Sequence, residues 1–294
     1  MHAMRTLAFC TLLGSSLAAQ TPVGPAAPET PIQAPQNEGF GGLMVLPTHI
    51  LMEGRTRSAE VMLRNSGVAA ASYRIMMAEM AMDQDGKVAD RSKKEGELTV
   101  SDFLFFSPKQ VDLAPGETQT VRLQIHKPEG MPDGEYRSHM VFEAIPPPAP
   151  AEHLEANSAP ELSFNITMVL GVSIPVTVRQ GTMVGKATLA GLHHVQPKTA
   201  DSAPLLAFRL ERQGNCSLRG DLTASLESGG KLKKGTVLYE LKNVVVYPET
   251  PFREFKMPMW QSLDGGLDSA RIKLSFQATE LPLPVETTFL DWLP

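Results

Sequence analysis

The sequence has almost no cysteine, and its two cysteines are Cys10 and Cys216. Cys10 falls in an apolar stretch at the N-terminus that we expect to be removed, so no disulfide can form within the rest of the chain. Stability must therefore come from buried apolar side chains. The sequence does not distinguish between a buried, inert thiol at Cys216 and a reactive one.

Positive charge is also scarce. The chain carries 27 Lys and Arg against 32 Asp and Glu, and no basic run exceeds two residues. We therefore expect neither a nucleic-acid-binding surface nor an anionic-membrane-binding surface. Beyond the N-terminus no run of 18 apolar residues occurs, so we expect no membrane insertion.

Motifs of common catalytic sites are missing, including GxSxG, HExxH, the P-loop and GxGxxG. His193 and His194 are adjacent but have no cysteine or acidic residue at metal-ligand spacing, so we interpret them as exposed strand histidines. Arg219-Gly220-Asp221 matches a short adhesion tripeptide, which we interpret as a chance match within a strand. We predict no catalytic residue, no metal site and no cofactor, and hence no enzyme.

The first 19 residues have the features of an export signal. Arg5 supplies the positive charge, 7–13 form a short apolar core, and small residues allow cleavage after Ala18 or Ala19. Residues 20–38 are rich in Pro, Ala and Gln, and this composition predicts a disordered leader. The mature protein is predicted to be exported and soluble.

What the sequence does contain is strand alternation and many turn residues, with 23 Gly and 24 Pro. These features and the length predict an all-β chain with two β-sandwich domains, at 39–180 and 181–294, joined at Gln180-Gly181. In the first domain we expect Ala70–Met82 to form one strand and Ala89–Glu97 a charged surface loop. The strands predicted in the second domain are Lys186–Val195, Leu205–Gln213, Ser217–Ser225, Thr236–Val246, Phe252–Met257, Arg271–Ala278 and Val285–Leu290.

One segment, Glu161–Thr177, alternates for about twice the usual strand length of roughly 5–6 residues. Side chains two apart share one face of a strand, so the segment carries a continuous apolar row. Two interpretations remain open: an ordinary core strand, or a strand whose row is partly meant for another protein. The row consists of Phe164, Ile166, Met168, Leu170, Val172, Ile174 and Val176.

Five segments together resemble the periplasmic pilus-assembly chaperones of the PapD type. Each is weak alone, and together they cover most of residues 43–178, whereas 181–294 resemble the family only in strand pattern. The segments are Val45–Ile50 with Gly54, Glu60–Asn65 with Tyr73, Ser107–Leu123 with its Leu-Ala-Pro-Gly and Val-Arg elements, Pro132–Pro147, and Phe164–Val176.

The resemblance implies two immunoglobulin-like sandwiches set at an angle, and a periplasmic location. It also implies that the alternating strand is lent to a pilin-like subunit that lacks one strand of its own. An outer-membrane usher would then receive the subunit, and self-capping dimers are a further hypothesis. The subunit-binding residues implied are Phe164, Ile166, Met168, Leu170 and Val172.

The sequence departs from the family in one respect. Members of the family hold the subunit's terminal carboxylate with an Arg of the first strand and a Lys of the donated strand. The Arg position matches His49 here, and no Lys or Arg occurs between Glu161 and Val178. We hypothesise that Arg137 replaces the missing charge with help from His49; the alternative is that Arg137 is a solvated surface residue.

The missing cation also keeps a second function open. The chain would then be an exported two-domain binding or surface-assembly protein without chaperone activity. The sequence identifies neither the client subunit nor the usher, and it does not give the oligomeric state.

Overall fold

The computed structural model describes residues 42–146, 170–196, 202–262 and 265–292. Regular structure in these ranges is β-strand, apart from two single-turn 3-10 helices at Val100–Asp102 and Trp260–Ser262. The predicted export signal, the predicted leader and residues 161–169 of the predicted long strand lie outside the described residues.

The first sandwich contains eleven of the described strands. They are β1 (Leu43–Leu46), β2 (Ile50–Met52), β3 (Ser58–Asn65), β4 (Ala71–Ala78), β5 (Met80–Met82), β6 (Val88–Asp90), β7 (Leu104–Ser107), β8 (Gln110–Leu113), β9 (Thr118–Ile125), β10 (Gly134–Ile145) and β11 (Gly171–Gln180).

Two sheets form this sandwich, with strand orders β1-β3-β9-β7 and β2-β11-β10-β4-β8. Strands β5 and β6 form a separate two-stranded hairpin. The first order corresponds to strands A, B, E and D of an immunoglobulin domain, and β11-β10-β4 to strands G, F and C. The predicted immunoglobulin-like, all-β fold is confirmed in this half of the chain.

Two prolines mark the points where the chain crosses between these sheets. Pro47 lies between β1 and β2, and Pro108 lies between β7 and β8. Because proline has no backbone N–H to donate, it is suited to positions where ladder pairing stops. The two strands that flank Pro47, β1 and β2, therefore belong to opposite sheets.

The core follows from the alternation of the strands. In β3 the side chains of Val61 and Leu63 are buried while their neighbours are exposed, and β9 buries Val121, Leu123 and Ile125 in the same way. These side chains pack between the sheets against Tyr73, Ile75, Met140, Phe142, Ile174, Val176 and Val178. Such burial is the main source of stability for a domain without disulfides.

Two expectations for this half were wrong. The segment Ala70–Met82 is not one strand, because β4 ends at Ala78 and β5 begins at Met80. The Glu79 carboxylate between them accepts hydrogen bonds from the hydroxyls of Ser101 (2.6 Å) and Ser138 (2.7 Å). The predicted loop at Ala89–Glu97 is partly strand, because Val88–Asp90 pair with Met80–Met82 around the predicted Asp83–Gly86 turn.

The second sandwich has seven strands in two sheets, with orders β12-β13-β16 and β15-β14-β17-β18. These strands match the predicted ones to within three residues at each end. They are β12 (Gly185–Val195), β13 (Leu205–Gly214), β14 (Leu218–Ser228), β15 (Val237–Val246), β16 (Phe252–Pro258), β17 (Ala270–Ala278) and β18 (Glu286–Trp292).

A second apolar cluster fills this sandwich, and it includes Leu206, Leu222, Ile272, Phe276 and Trp292. The predicted boundary at Gln180-Gly181 falls where β11 ends and the connection to β12 begins. Gly181 has a φ of +71°, in the left-handed region that favours glycine.

Candidate partner-binding edge and the junction of the sandwiches

Strand β11 has neighbours on both sides for only part of its length. On one side it pairs with β10 in antiparallel register from Gly171 to Gln180. On the other side it pairs in parallel with β2 over only three residues, Val176–Val178. Among the described residues, the edge of Gly171–Pro175 that faces away from β10 therefore has no strand partner, and its backbone groups are available to another chain.

The apolar row of β11 passes from the core into solvent along this edge. Ile174, Val176 and Val178 are at most 2% exposed and belong to the core. Two and four positions before Ile174 on the same face, Val172 is 37% exposed and Leu170 is 45% exposed. The row therefore serves the chain's own core at one end and is open to contact at the other.

The strand pairing continues to the start of this described segment, where the Ala144 amide donates to the Leu170 carbonyl at 3.0 Å. The predicted contact residues Phe164, Ile166 and Met168 lie outside the described residues, and their role stays a prediction. Leu170 and Val172 are the two predicted contacts whose surroundings are described.

A second free edge faces the same side of the sandwich. Strand β1 is the outermost strand of its sheet and pairs only with β3 among the described strands. Met44, Leu46 and Met62 are exposed on this part of the sheet, with Leu46 directly opposite Met62. The last residue of β1 is thus apolar and solvent-exposed close to the crossing that leads into β2.

The C-terminal end of β11 carries a buried cation, Arg179, that joins the two sandwiches. Its guanidinium lies 3.0 Å from Glu135 of β10 and 2.8 Å from Glu280 of the second sandwich. The side chains of Arg179 and Glu135 are 2% and 0% exposed. Glu135 also accepts hydrogen bonds from the amide and hydroxyl of Ser217. Since removing one partner of a buried ion pair leaves an uncompensated charge, this network resists separation of the sandwiches.

His49 lies beside this network, with Nδ1 3.7 Å from the Glu280 carboxylate. Burial, together with the nearby Arg219 and Arg179 guanidinium groups, lowers the pKa of His49 to about 4. The imidazole is therefore neutral at neutral pH. It can donate or accept a hydrogen bond there, but it does not supply the positive charge of an arginine.

Arg137 lies at the junction and is not a solvated surface residue, because its side chain is only 8% exposed. The guanidinium forms an ion pair with Glu249 of the second sandwich and stacks 3.5 Å from the ring centroid of Tyr247. One of its N–H groups also donates to the Met80 carbonyl at 3.0 Å. The surface alternative for Arg137 was therefore wrong.

The two predicted anchor residues are linked through intermediate side chains. Tyr247 contacts Arg137 and hydrogen-bonds with Arg219, whose guanidinium lies 2.9 Å from Glu280. Glu280 in turn faces His49. Both anchor candidates already face carboxylates of this chain, so an incoming carboxylate has to compete with them.

Sequence reasoning missed Arg179 as a junction residue. The search for a cation in the long strand ended at Val178, one position before Arg179. Its partner Glu280 is 101 residues away in the chain, and nothing in the local pattern indicates that contact.

The other sequence signals have structural explanations. Arg219-Gly220-Asp221 lies within β14, and the Arg219 side chain is 14% exposed, so the tripeptide is not presented on a loop. His194 packs against Trp292, with ring centroids 4.1 Å apart. Cys216 is fully buried, and burial raises the pKa of its thiol, which favours the inert form.

No group of three or more His, Cys, Asp or Glu side chains in the described ranges is arranged to hold a metal ion. In the same ranges, no helix has the length and apolar character needed to cross a membrane.

Comparison with known proteins finds no matching family model and no matching curated protein. Solved structures that match include the YadV chaperone, at 13% identity and TM-score 0.43, covering 85% of this chain and 100% of that one. The Pseudomonas aeruginosa CupB2 chaperone matches at 10% identity and TM-score 0.43, with coverage of 85% and 100%. A complex of the Salmonella enterica SafA pilin with the SafB chaperone matches at 13% identity and TM-score 0.42, with coverage of 86% and 98%. These identities and TM-scores are too low to assign the chain to a family or a function.

Proposed function

We propose that the protein is a periplasmic chaperone that binds pilus- or fimbria-type subunits by lending them strand β11 and delivers them for assembly. The observation that carries this proposal is the free edge of Gly171–Pro175, with Leu170 and Val172 exposed beside it. A strand donated to an incomplete sandwich needs an unpaired backbone edge and an apolar row on the matching face.

The donated strand would act through two contributions. Its backbone N–H and C=O groups would pair with the open edge of the subunit, and its apolar row would fill the groove left by the missing strand. Phe164, Ile166 and Met168 would extend the row beyond Leu170 and Val172. Such binding needs no nucleotide, metal or other cofactor, and an outer-membrane usher would receive the subunit.

The anchoring of the subunit's terminal carboxylate at Arg137 and His49 stays a prediction. Arg137 supplies a permanent charge, but Glu249 holds it in the free protein. His49 is neutral and can contribute only a hydrogen bond at neutral pH. A subunit carboxylate would therefore have to displace Glu249 from Arg137.

Co-expression with a subunit encoded by a neighbouring gene tests the proposal. We expect the subunit to aggregate when made alone and to form a stable one-to-one complex with this protein. The variant Leu170→Glu should fail to form the complex, because it would bury an unpaired carboxylate in the subunit's groove. Val237→Glu is the control, since Val237 is a 55% exposed residue of the second sandwich.

The carboxylates that already face Arg137 and His49 favour a second candidate function, an exported two-domain binding or surface-assembly protein without chaperone activity. Under this alternative, Leu170→Glu leaves the folding and secretion of the partner unchanged. The same co-expression experiment therefore separates the two functions.

A further inference from the structure

The β5–β6 hairpin belongs to the first sandwich in sequence but lies against the second one. Its turn residue Gln84 accepts a hydrogen bond on its carbonyl from the Glu254 amide of β16, at 2.7 Å. The amide of Met82 donates to the Glu249 carboxylate at 3.0 Å. Both hydrogen bonds exist only when the two sandwiches are folded and in contact.

A small apolar cluster accompanies these bonds. Met82 of the hairpin packs with Val245 and Tyr247 of the second sandwich, and all three are at most 8% exposed. This cluster is separate from the two sandwich cores. Its burial stabilises the contact between the sandwiches rather than either sandwich alone.

The tip of the hairpin fits closely against Arg253. Gly86 has a φ of +83°, and a Cβ at this position would lie 2.0 Å from the Arg253 Nε atom. The same guanidinium donates to the Val245 carbonyl at 3.3 Å, so it is held in place on its own sandwich. An alanine at position 86 therefore requires either the Arg253 guanidinium or the hairpin tip to move, and in both cases the close fit between them is lost.

The base of the hairpin is fixed to the first sandwich. The Arg91 amide closes the hairpin by donating to the Glu79 carbonyl at 2.9 Å, and the Glu79 carboxylate accepts a hydrogen bond from the Ser138 hydroxyl of β10 at 2.7 Å. Arg137 of β10 donates to the Met80 carbonyl. The hairpin is therefore held at its base by one sandwich and at its tip by the other.

We propose that the β5–β6 hairpin is a clasp that couples the two sandwiches, so that they unfold as one cooperative unit. Two domains joined by a short connection are expected to move and unfold separately unless specific contacts link them. The clasp supplies such contacts in addition to those of the Arg179 network, to which Tyr247 is connected through Arg219 and Glu280. This inference does not depend on the proposed chaperone function, because it concerns the protein without a partner.

The positions of the two tryptophans allow a direct test. Trp260 and Trp292 both belong to the second sandwich, so tryptophan fluorescence reports its unfolding, whereas far-UV circular dichroism reports both sandwiches. Thermal unfolding of the full mature chain should give coincident transitions by the two probes. In Gly86→Ala the two midpoints should separate by at least about 3 °C.

Gly96→Ala is the matched control. Gly96 also has a positive φ, +71°, but nothing lies within 4 Å of its would-be Cβ. Both variants therefore carry a similar backbone cost, and only Gly86→Ala disturbs the contact with Arg253. Hydrogen exchange at the Glu254 amide should be at least tenfold faster in Gly86→Ala than in Gly96→Ala.

A second variant keeps the test independent of the glycine. Met82→Ala removes the apolar contact without changing the turn, and it should also separate the two midpoints. Met62→Ala is its control, because Met62 is 39% exposed on the first sandwich. Coincident transitions in both Gly86→Ala and Met82→Ala, or separate transitions in the unchanged protein, would overturn the proposal.

Discussion

Truncating both exposed residues of the β11 row, in the double variant Leu170→Ala/Val172→Ala, should weaken subunit binding without weakening the fold. The two side chains are 45% and 37% exposed, and the core residues of the same row begin only at Ile174. Alanine is compatible with a strand and leaves the backbone edge unchanged. The variant therefore removes apolar surface that is free in the isolated protein and buried only in the complex.

The magnitude follows from the exposed fractions. Fully burying a leucine or valine side chain contributes about 1.5–3 kcal/mol. Somewhat less than half of each side chain is exposed, and alanine keeps a part of the contact. The expected loss is therefore about 1–2 kcal/mol for the pair, which corresponds to a roughly 5- to 30-fold higher Kd.

The assay is titration of the purified protein against a subunit peptide or a subunit released from the complex, with the denaturation midpoint measured in parallel. Val237→Ala/Val285→Ala is the control, since both residues lie in the second sandwich and are more exposed than Leu170 and Val172, at 55% and 50%. The reasoning is refuted by a Kd within twofold of the unchanged protein. It is equally refuted if the control weakens binding as much.

Three further predictions concern the junction. Arg137→Ala should reduce subunit capture in a pull-down at least several-fold if Arg137 anchors the carboxylate, and unchanged capture would exclude that role. Because the folded-state pKa values of His49 and His139 are about 4, below the usual 6.5, the unfolded state binds more protons between these values. The contribution of these two histidines to stability should be constant above pH 6.5 and fall as the pH drops towards 4, by on the order of 3 kcal/mol per histidine. A denaturation midpoint equal at pH 7.5 and 4.5 would contradict this. Arg179→Met should lower the free energy of unfolding by about 3–5 kcal/mol in denaturant titrations, because it leaves a buried carboxylate unpaired. The control Arg122→Met, where the arginine side chain is 83% exposed, should lower it by under about 1 kcal/mol. Equal losses for the two variants would argue against the buried network.

The strands were largely predictable because each one obeys a local rule. In β3 and β9, alternate residues meet the core, and the period of two is visible in the sequence. The Asp83–Gly86 turn was also predictable, since its residues favour a tight turn. Turn and period are properties of a few consecutive residues, so no knowledge of the tertiary fold is needed to detect them.

The break at Glu79 illustrates what the local pattern does not contain. The segment around it alternates well enough to predict one long strand, but its carboxylate is held by the hydroxyls of Ser101 and Ser138. These partners come from other parts of the fold. The short strand β6 was missed for a related reason, because its three exposed residues gain their pairing only from β5.

The candidate site divides in the same way. The apolar row of β11 was predictable, and so was the choice of Arg137 as a candidate anchor residue. The free edge beside Gly171 was not predictable. Which strand covers which edge depends on where β2 joins the sheet. The carboxylates that face Arg137 and His49 are those of Glu249 and Glu280 in the other sandwich, and no periodicity reports a contact between domains.

The crossing at Pro47 determines how much of β11 remains open. In the parallel register of β2, Ile50 lies opposite Val176, so a chain that stayed in that sheet would bring Leu46 alongside Val172. The extended β2 would then pair with the whole of β11 and cover its free edge, as in a sandwich that binds no partner strand. The position of the crossing at Pro47 thus sets how many residues of β11 keep an unpaired edge. A crossing four residues earlier in the chain would leave no edge for a partner strand.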